Sequence, residues 1–326
     1  MKYMEIGRSG IRSSVITFGA MGIGGGTWWR NSDDEESIRT LHKAFEMGIN
    51  TVDTAPVYGF GHSEEVLGRA VKGRRSDVII STKCGLWWGD DEGSFRWVKD
   101  GHRVSRNLSA RTIRIELENS LRRLGTDYID IYYTHNPCCP PFMTPVEETV
   151  GLLMDFKKEG KIRAIGASNM TPQEILDYTA CGEIDIIQGR YSMLTRGPED
   201  GILQLCREKG MSFHAYMPLE RGLLTGKVTK DYVVPEGDAR DGDPWWSAEK
   251  FPRALEFVEE LKGIAGKYNC QLSQLALAYL RGQGGDINVI CGARRVSQIA
   301  ETALAADLVL EKEDLDQIRK MADQLQ

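Results

Sequence analysis

The sequence predicts an α/β protein that folds as a (β/α)8 TIM barrel with an N-terminal hairpin and extra C-terminal helices. Eight short runs rich in β-branched residues alternate with longer amphipathic segments along nearly the whole chain, as parallel strands with crossover helices require. The length of 326 residues suits one such barrel. Because no linker-like segment interrupts the alternation, residues 1–326 are expected to form a single barrel domain.

The elements are expected in a definite order, beginning with a hairpin over residues 2–11 whose turn at 8–10 would let it close the bottom of the barrel. Eight strands are expected at residues 15–18, 50–53, 78–82, 129–134, 164–167, 184–188, 212–216 and 288–291. The connecting helices are expected at 35–47, 63–71, 110–124, 146–159, 172–179, 198–208, 252–267, 272–281 and 296–305. A last helix is expected at 312–325.

A glycine-rich stretch at residues 19–27 decides between this barrel and a doubly wound open sheet. The open sheet would carry a GxGxxG fingerprint after its first strand, with a phosphate-binding helix behind it. No register of the stretch fits that fingerprint, and Trp28 and Trp29 follow where the helix would begin. The stretch is therefore interpreted as a loop at the mouth of a closed barrel.

Composition excludes several classes of function. Lys plus Arg number 41 against 47 Asp plus Glu, which gives a net charge of −6, so a nucleic-acid partner is not expected. No segment approaches the roughly 20 apolar residues of a membrane-spanning helix, and the N-terminus lacks the apolar core of a signal peptide; a soluble, cytoplasmic protein is expected. Seven cysteines without disulfide spacing indicate packed thiols. The five histidines form neither HxH nor HExxH, so no metal site is predicted.

Four polar side chains stand at the ends of three consecutive strands. Asp53 ends the second strand and Tyr58 follows it, Lys83 ends the third, and His135 ends the fourth. Catalytic residues of such barrels lie at the carboxyl ends of the strands. Each residue alone could be a cap, a loop contact or a turn hydrogen bond. Their appearance at successive strand ends predicts that they act together.

The four residue types suit proton delivery to a carbonyl oxygen. A carbonyl that accepts hydride at carbon develops negative charge on oxygen, and a phenol can donate the proton. Lys83 would lower the pKa of Tyr58 by favouring the phenolate, and Asp53 would hold the ammonium in place. His135 could then hydrogen-bond the carbonyl oxygen and orient it. The pattern therefore predicts a carbonyl reductase in which Tyr58 is the general acid.

These residues, together with three longer motifs, resemble the aldo-keto reductases. Residues 50–59 resemble that family's Asp-to-Tyr signature, 162–169 its Gly-x-Ser-Asn motif, and 215–227 its cofactor belt. The resemblance extends from the N-terminal hairpin to about Leu310. It implies an oxidoreductase that transfers a hydride from NADPH to a small-molecule aldehyde or ketone. Some channel-associated relatives leave an alternative, an NADPH-binding redox-sensing or regulatory subunit with slow or vestigial turnover.

The resemblance also implies where NADPH would bind. Ser168, Asn169 and Gln188 would hold the carboxamide, and Tyr216 would offer an aromatic face to the nicotinamide ring. The other implied cofactor residues are Met21, Asp53, Met217, Pro218, Leu219, Gly222, Lys227, Gly292, Ala293, Arg294, Gln298 and Glu301. Cations at a helix N-terminus oppose the helix dipole, so Arg294 and Arg295 favour a bound 2′-phosphate and hence NADPH over NADH. The chain departs from the family pattern at Asn136, Met217, Cys291 and Thr302.

The substrate side is less specific. Trp28 and Trp87, with Tyr58 and His135, are expected to contact the substrate. Aromatic planes suit aryl carbonyls as well as the C–H faces of sugars, and a sugar-like or small polar carbonyl is slightly favoured. The tryptophans could equally pack the long loop after the third strand against the barrel rim. A homo-oligomer is left open.

Overall fold

A closed barrel of eight parallel strands is the centre of the structure, and it confirms the predicted (β/α)8 architecture. The computed structural model describes residues 1–26, 29 and 32–325. All eight predicted strands are present, shifted by at most two residues at either end. They are β1 Ile16–Gly19, β2 Thr51–Asp53, β3 Ile79–Cys84, β4 Ile129–Thr134, β5 Ile162–Ser168, β6 Ile186–Arg190, β7 Ser212–Tyr216 and β8 Ile287–Gly292. Strand β8 pairs with β1 and closes the barrel.

The N-terminal hairpin covers the amino ends of the barrel strands, as predicted, but its second strand lies later than expected. Its strands are Tyr3–Glu5 and Arg12–Ser14, paired antiparallel. Between them, Ile6 and Ile11 are buried against five residues of the barrel strands: Ile79, Ile131, Tyr133, Ala164 and Ile186. Burial of this apolar surface closes the bottom of the barrel, so the opposite end is the one open to ligands.

The helices surround the barrel close to their predicted positions. They are α1 Asp34–Glu46, α2 His62–Ala70, α3 Ala110–Leu124, α4 Val146–Lys158, α5 Pro172–Cys181, α6 Ile202–Lys209, α7 Lys250–Lys267, α8 Leu272–Arg281, α9 Val296–Ala303 and α10 Lys312–Asp323. Local sequence fixes some ends: Thr171 and Glu174 form a capping box before α5. Helix α6 begins four residues later than predicted because Gly201 (φ 102°) separates it from a short 3-10 turn at Gly197–Glu199. Within the described residues, no helix is long and apolar enough to cross a membrane.

The long loop after β3 contains a sheet that the sequence analysis missed. We call it the mouth sheet; its three antiparallel strands are Leu86–Trp87, Ser94–Lys99 and His102–Arg106. The last two join through Asp100 (φ 49°) and Gly101 (φ 79°). Asp-Gly between two β-rich runs is a strong hairpin signal, so the sequence contained the information that would have predicted it.

The close packing around Gly166 in β5 allows a prediction about the stability of the fold. A Cβ at Gly166 in β5 would lie 2.3 Å from Cδ1 of Tyr133, whose ring is buried and held by a 2.8 Å hydrogen bond to Nδ1 of His214. We expect Gly166→Ala to lower the free energy of unfolding by about 1–3 kcal/mol, because overpacking forces neighbouring atoms apart. Gly151, exposed in α4 with open space around it, is the matched control: Gly151→Ala should raise stability by up to about 1 kcal/mol. Urea unfolding measures both, and equal stability of the two variants would contradict the packing argument.

Candidate active site

The ends of β2, β3 and β4 bring the four predicted polar residues together. The Nζ atom of Lys83 donates to Oδ1 of Asp53 at 2.7 Å and to the carbonyl oxygen of Thr54 at 2.7 Å, and it lies 3.5 Å from the hydroxyl of Tyr58. The ring centroids of Tyr58 and His135 are 6.0 Å apart, nearly perpendicular. The hydroxyl of Tyr58 thus lies close to the ammonium of Lys83, and the ring of Tyr58 lies beside that of His135.

Asp53 and Lys83 form a buried ion pair, exposed by only 4% and 0%. The second carboxylate oxygen of Asp53 accepts from Oγ of Ser81 at 2.8 Å and from Nε2 of Gln188 at 2.9 Å. Burial of charged groups is tolerated when their hydrogen bonds are satisfied. The sequence analysis did not identify Ser81 or the Thr54 carbonyl; Ser81 lies two residues before Lys83 on the same face of β3, and that spacing is the signal that could have found it.

Burial and neighbouring charges act together on the pKa values of Lys83 and Tyr58. Burial lowers the pKa of Lys83, but Asp53 and Tyr58 outweigh that effect, and the net pKa is raised; the ammonium is the stable form. For Tyr58, burial raises the pKa and the positive charge of Lys83 lowers it, with a net rise. The expected net lowering is therefore not found, because burial, with the negative charge of Asp53, outweighs the cation. Lys83 nonetheless acts in the predicted direction.

His135 is held as a neutral ring above the strand ends. Its backbone N–H donates to the carbonyl oxygen of Cys84 at 2.8 Å. Burial lowers the pKa of its imidazole well below the usual value, and the charge of Lys83 acts in the same direction. A neutral imidazole has one N–H donor, which suits hydrogen bonding to a carbonyl oxygen.

Close backbone packing fixes the turn that carries Tyr58. A Cβ at Gly59 (φ 63°) would lie 2.0 Å from the carbonyl oxygen of Gly24, so the two chain segments approach too closely for any side chain there. Gly24 belongs to the glycine-rich stretch after β1, which begins with a 3-10 turn at Ala20–Ile23 containing Met21. The glycine-rich stretch therefore supports the Tyr58 turn from the side.

The predicted nicotinamide residues converge beside these four groups. Asn169, which has a left-handed backbone (φ 62°), donates from Nδ2 to the carbonyl oxygen of His135 at 2.9 Å and to Oγ of Ser168 at 3.1 Å. The hydroxyl of Tyr216 donates to Oδ1 of Asn169 at 2.6 Å, and Gln188 reaches Asp53. Hydroxyl, amide and aromatic groups thus gather at the ends of β5, β6 and β7, and this donor set fits a nicotinamide carboxamide and ring.

The turn after β7 is held in an unusual conformation by buried ion pairs. Met217, Glu220 and Arg221 have left-handed backbones (φ 55°, 45° and 56°), which cost energy unless the surroundings enforce them. Buried Glu220 pairs with Arg190, which also pairs with Asp243 at 2.9 Å. These pairs fix the turn, which contains three further predicted cofactor residues: Pro218, Leu219 and Gly222. Sequence reasoning gave no signal for this pairing, because its members are far apart along the chain.

The remaining predicted cofactor residues lie around α9. Gly292 ends β8, and Ala293 follows it shortly before the helix begins. Lys227 pairs with Glu301 at 3.0 Å. Gln298 accepts from the backbone N–H groups of Arg294 and Arg295 at 2.8 and 3.2 Å. The carboxylate of Glu36 accepts from the N–H of Val296 at 3.4 Å. One end of the helix therefore carries two guanidinium groups and a carboxylate.

The structure describes one of the two tryptophans that were predicted to contact the substrate. Trp28 lies outside the described residues. Trp87 is 7% exposed and donates from Nε1 to Asp90 at 2.7 Å, with the guanidinium of Arg111 over its ring. Trp88 instead packs with Tyr58 on a buried apolar cluster that includes Leu86. This packing favours Trp88 over Trp87 as a substrate contact.

Comparisons with known proteins identify relatives along the whole barrel. A family model described as "Aldo/keto reductase family" matches residues 15–323. The chain is 41% identical over 328 residues to a protein of Escherichia coli (strain K12) named NADH-specific methylglyoxal reductase, covering 100% of both chains. It is 34% identical to a protein of Schizosaccharomyces pombe whose name, aldo-keto reductase yakc (NADP(+)), includes the cofactor; the match covers 95% of this chain and 88% of the relative. The glycerol dehydrogenase AKR11B4 from Gluconobacter oxydans has a TM-score of 0.89 and 32% identity, covering 99% and 95%.

Proposed function

The chain belongs to the aldo/keto reductase family, an oxidoreductase family that uses a nicotinamide cofactor, and we propose that it reduces an aldehyde or ketone with Tyr58 as the general acid. The observation that carries the proposal is the position of the Tyr58 hydroxyl, 3.5 Å from the buried ammonium of Lys83. Both lie at the end of the barrel where catalytic residues of this fold are found.

Protonation favours this role for Tyr58. A general acid must carry its proton before the reaction, and the raised pKa of Tyr58 keeps the phenol protonated at neutral pH. As the proton leaves, the phenolate oxygen gains negative charge beside the Lys83 ammonium, which stabilises it. Asp53 keeps that ammonium charged and in place, and His135 would hydrogen-bond the carbonyl oxygen.

The residues around the four groups would hold the cofactor. Ser168, Asn169 and Gln188 would bind the carboxamide, Tyr216 the ring, and the turn from Met217 to Gly222 the pyrophosphate. When bound, a reduced nicotinamide supplies the hydride that adds to the carbonyl carbon. The ordered side chains already in position reduce the entropy that must be lost on binding.

We propose NADPH as the preferred cofactor because Arg294 and Arg295 stand at the start of α9. Guanidinium groups bind phosphate through paired hydrogen bonds. One observation favours NADH instead: the carboxylate of Glu36 already occupies an N–H group of that helix and would repel a 2′-phosphate. The named cofactors of the relatives also differ.

Substitution of Arg294 tests the preference. We expect Arg294→Ala to weaken NADPH binding about 10- to 100-fold, since a hydrogen bond to a charged group contributes about 1.5–3 kcal/mol, and to change NADH binding less than about twofold. Dissociation constants from fluorescence titration measure both. An equal effect on the two cofactors would remove the 2′-phosphate argument.

A small polar or sugar-like carbonyl is the proposed substrate, with aryl carbonyls as the second group. Support comes from the aromatic side chains Trp88 and Phe60, which pack on each other and on the apolar cluster that Tyr58 also contacts, and from relatives named for methylglyoxal and glycerol.

Stopped-flow oxidation of NADPH or NADH by a panel of aldehydes, ketones and sugars tests the function. A carbonyl reductase turns over repeatedly with one or more members of the panel. A single slow turnover with tight cofactor retention would identify a redox-sensing or regulatory subunit instead.

A further inference from the structure

Two arginines of the mouth sheet, Arg96 and Arg106, differ in their ion pairs from the neighbouring arginines Arg103 and Arg111. Arg103 pairs with Asp91 at 3.4 Å and donates to Oγ of Ser105 at 2.6 Å. Arg111 of α3 pairs with Asp90 at 2.9 Å and with Glu92. The guanidinium groups of Arg96 and Arg106, by contrast, have no ion pair or hydrogen bond to any described residue. Nε of Arg106 is a buried polar atom without a partner in the described part of the chain.

Leaving Nε of Arg106 without a partner is unfavourable. A buried donor without an acceptor has lost its hydrogen bonds to water without replacement, and the cost is greater when the group is charged. Two effects lower the pKa of Arg96: burial is the larger, and the positive charge of Arg106 is the second. A buried polar group without a partner needs an explanation, and an anion beside Arg106 and Arg96 would supply the acceptor that Nε of Arg106 lacks.

The register of the mouth sheet places Arg106 beside the proposed active site. Arg106 lies directly opposite Leu86 on one side and Ser94 on the other, so the three side chains share one face. Leu86 belongs to the apolar cluster that contacts Tyr58. Oγ of Ser94 accepts from the N–H of Phe142 at 2.9 Å, in the loop after β4 that begins at His135. Arg106 therefore shares a face of the mouth sheet with Leu86, whose cluster contacts Tyr58, and with Ser94, which is bonded to the loop after β4.

We propose that Arg106, assisted by Arg96, binds an anionic group of the carbonyl substrate. The shared chemistry is that of carboxylate or phosphate oxygens, which guanidinium groups bind with paired, charge-assisted hydrogen bonds. The inference rests on the proposed function and adds a substrate class to it: aldehydes or ketones that carry a carboxylate or a phosphate. The anion would anchor the far end of the substrate while its carbonyl oxygen lies at Tyr58.

Matched substrate pairs test the proposal. D-glyceraldehyde 3-phosphate is compared with D-glyceraldehyde, and succinic semialdehyde with its methyl ester, by kcat/KM in the wild type, Arg106→Met and Arg103→Met. We expect the wild type to favour the charged member of one pair by about 10- to 100-fold, the effect of a hydrogen-bonded charge. Arg106→Met should lose that preference. Arg103→Met, on the opposite face of the same strand with its own acidic partner, should keep it.

The outcomes separate the possibilities. Preference within the phosphate pair alone identifies a phosphate site, and preference within the other pair alone a carboxylate site; either supports the proposal. If Arg106→Met fails to fold, Arg96→Met should reduce the preference in its place. A wild type that reduces neutral aldehydes without favouring charged ones overturns the anion site alone. A wild type that reduces no carbonyl compound overturns the proposed function, and the anion site with it.

Discussion

Tyr58→Phe is expected to lower kcat for carbonyl reduction by about 10²–10⁴-fold, the usual contribution of a positioned general acid. The substitution removes only the hydroxyl that lies 3.5 Å from Nζ of Lys83 and leaves the ring that packs on the apolar cluster at the mouth. The oxygen of the carbonyl then has no proton donor held beside an ammonium. Steady-state kinetics with the best substrate of the panel measure the loss.

Cofactor binding provides the control for this result. Because Tyr58 is proposed to act on the substrate, the dissociation constant of NADPH should stay within about twofold of the wild type. Tyr3→Phe is the matched variant: it loses a hydroxyl that donates to the carbonyl oxygen of Gly48, at the closed end of the barrel, and should keep full activity. Equal losses of activity and cofactor binding in Tyr58→Phe would mean that Tyr58 has a structural role.

Lys83→Met is expected to remove nearly all activity and to destabilise the fold. The substitution leaves Asp53 buried with its charge uncompensated, and breaking a buried ion pair in this way costs about 3–5 kcal/mol. Activity falls because no cation remains to stabilise the phenolate of Tyr58. Urea unfolding and steady-state kinetics measure the two effects.

The double variant Asp53→Asn/Lys83→Met separates the two roles of the pair. Without a buried charge, most of the lost stability should return, while kcat should stay as low as in Lys83→Met. A double variant that recovers activity together with stability would show that the pair contributes to folding alone.

The fold and the four proposed catalytic residues could be predicted because their signals are local. Strands such as Ile129–Thr134 are short β-branched runs between amphipathic helices, and Asp53, Lys83 and His135 stand where those runs end. Parallel strands in a barrel present their carboxyl ends together, so positions read along the chain translate directly into proximity in space.

Other features depend on packing that the chain order does not contain. The net pKa of Tyr58 rises because burial outweighs a nearby cation, and burial cannot be read from the residue types. The choice between Trp87 and Trp88 depends on which of the two side chains packs on the apolar cluster that Tyr58 contacts. The pairing of Arg190 with Glu220 joins residues 30 positions apart. The last two strands of the mouth sheet, by contrast, could have been predicted, because the Asp100-Gly101 turn that joins them is visible in the sequence.

The most direct test of the central claim follows the hydride itself. The protein is incubated with a reduced nicotinamide cofactor that carries deuterium at both C4 positions and with the best carbonyl substrate, and the alcohol product is examined by mass spectrometry and NMR. One deuterium is expected at the former carbonyl carbon, and the label should be absent from that position when Tyr58→Phe or Lys83→Met is used over the same period. Alcohol formed without the label, or cofactor oxidised without any alcohol, would contradict hydride transfer from the cofactor to the carbonyl carbon.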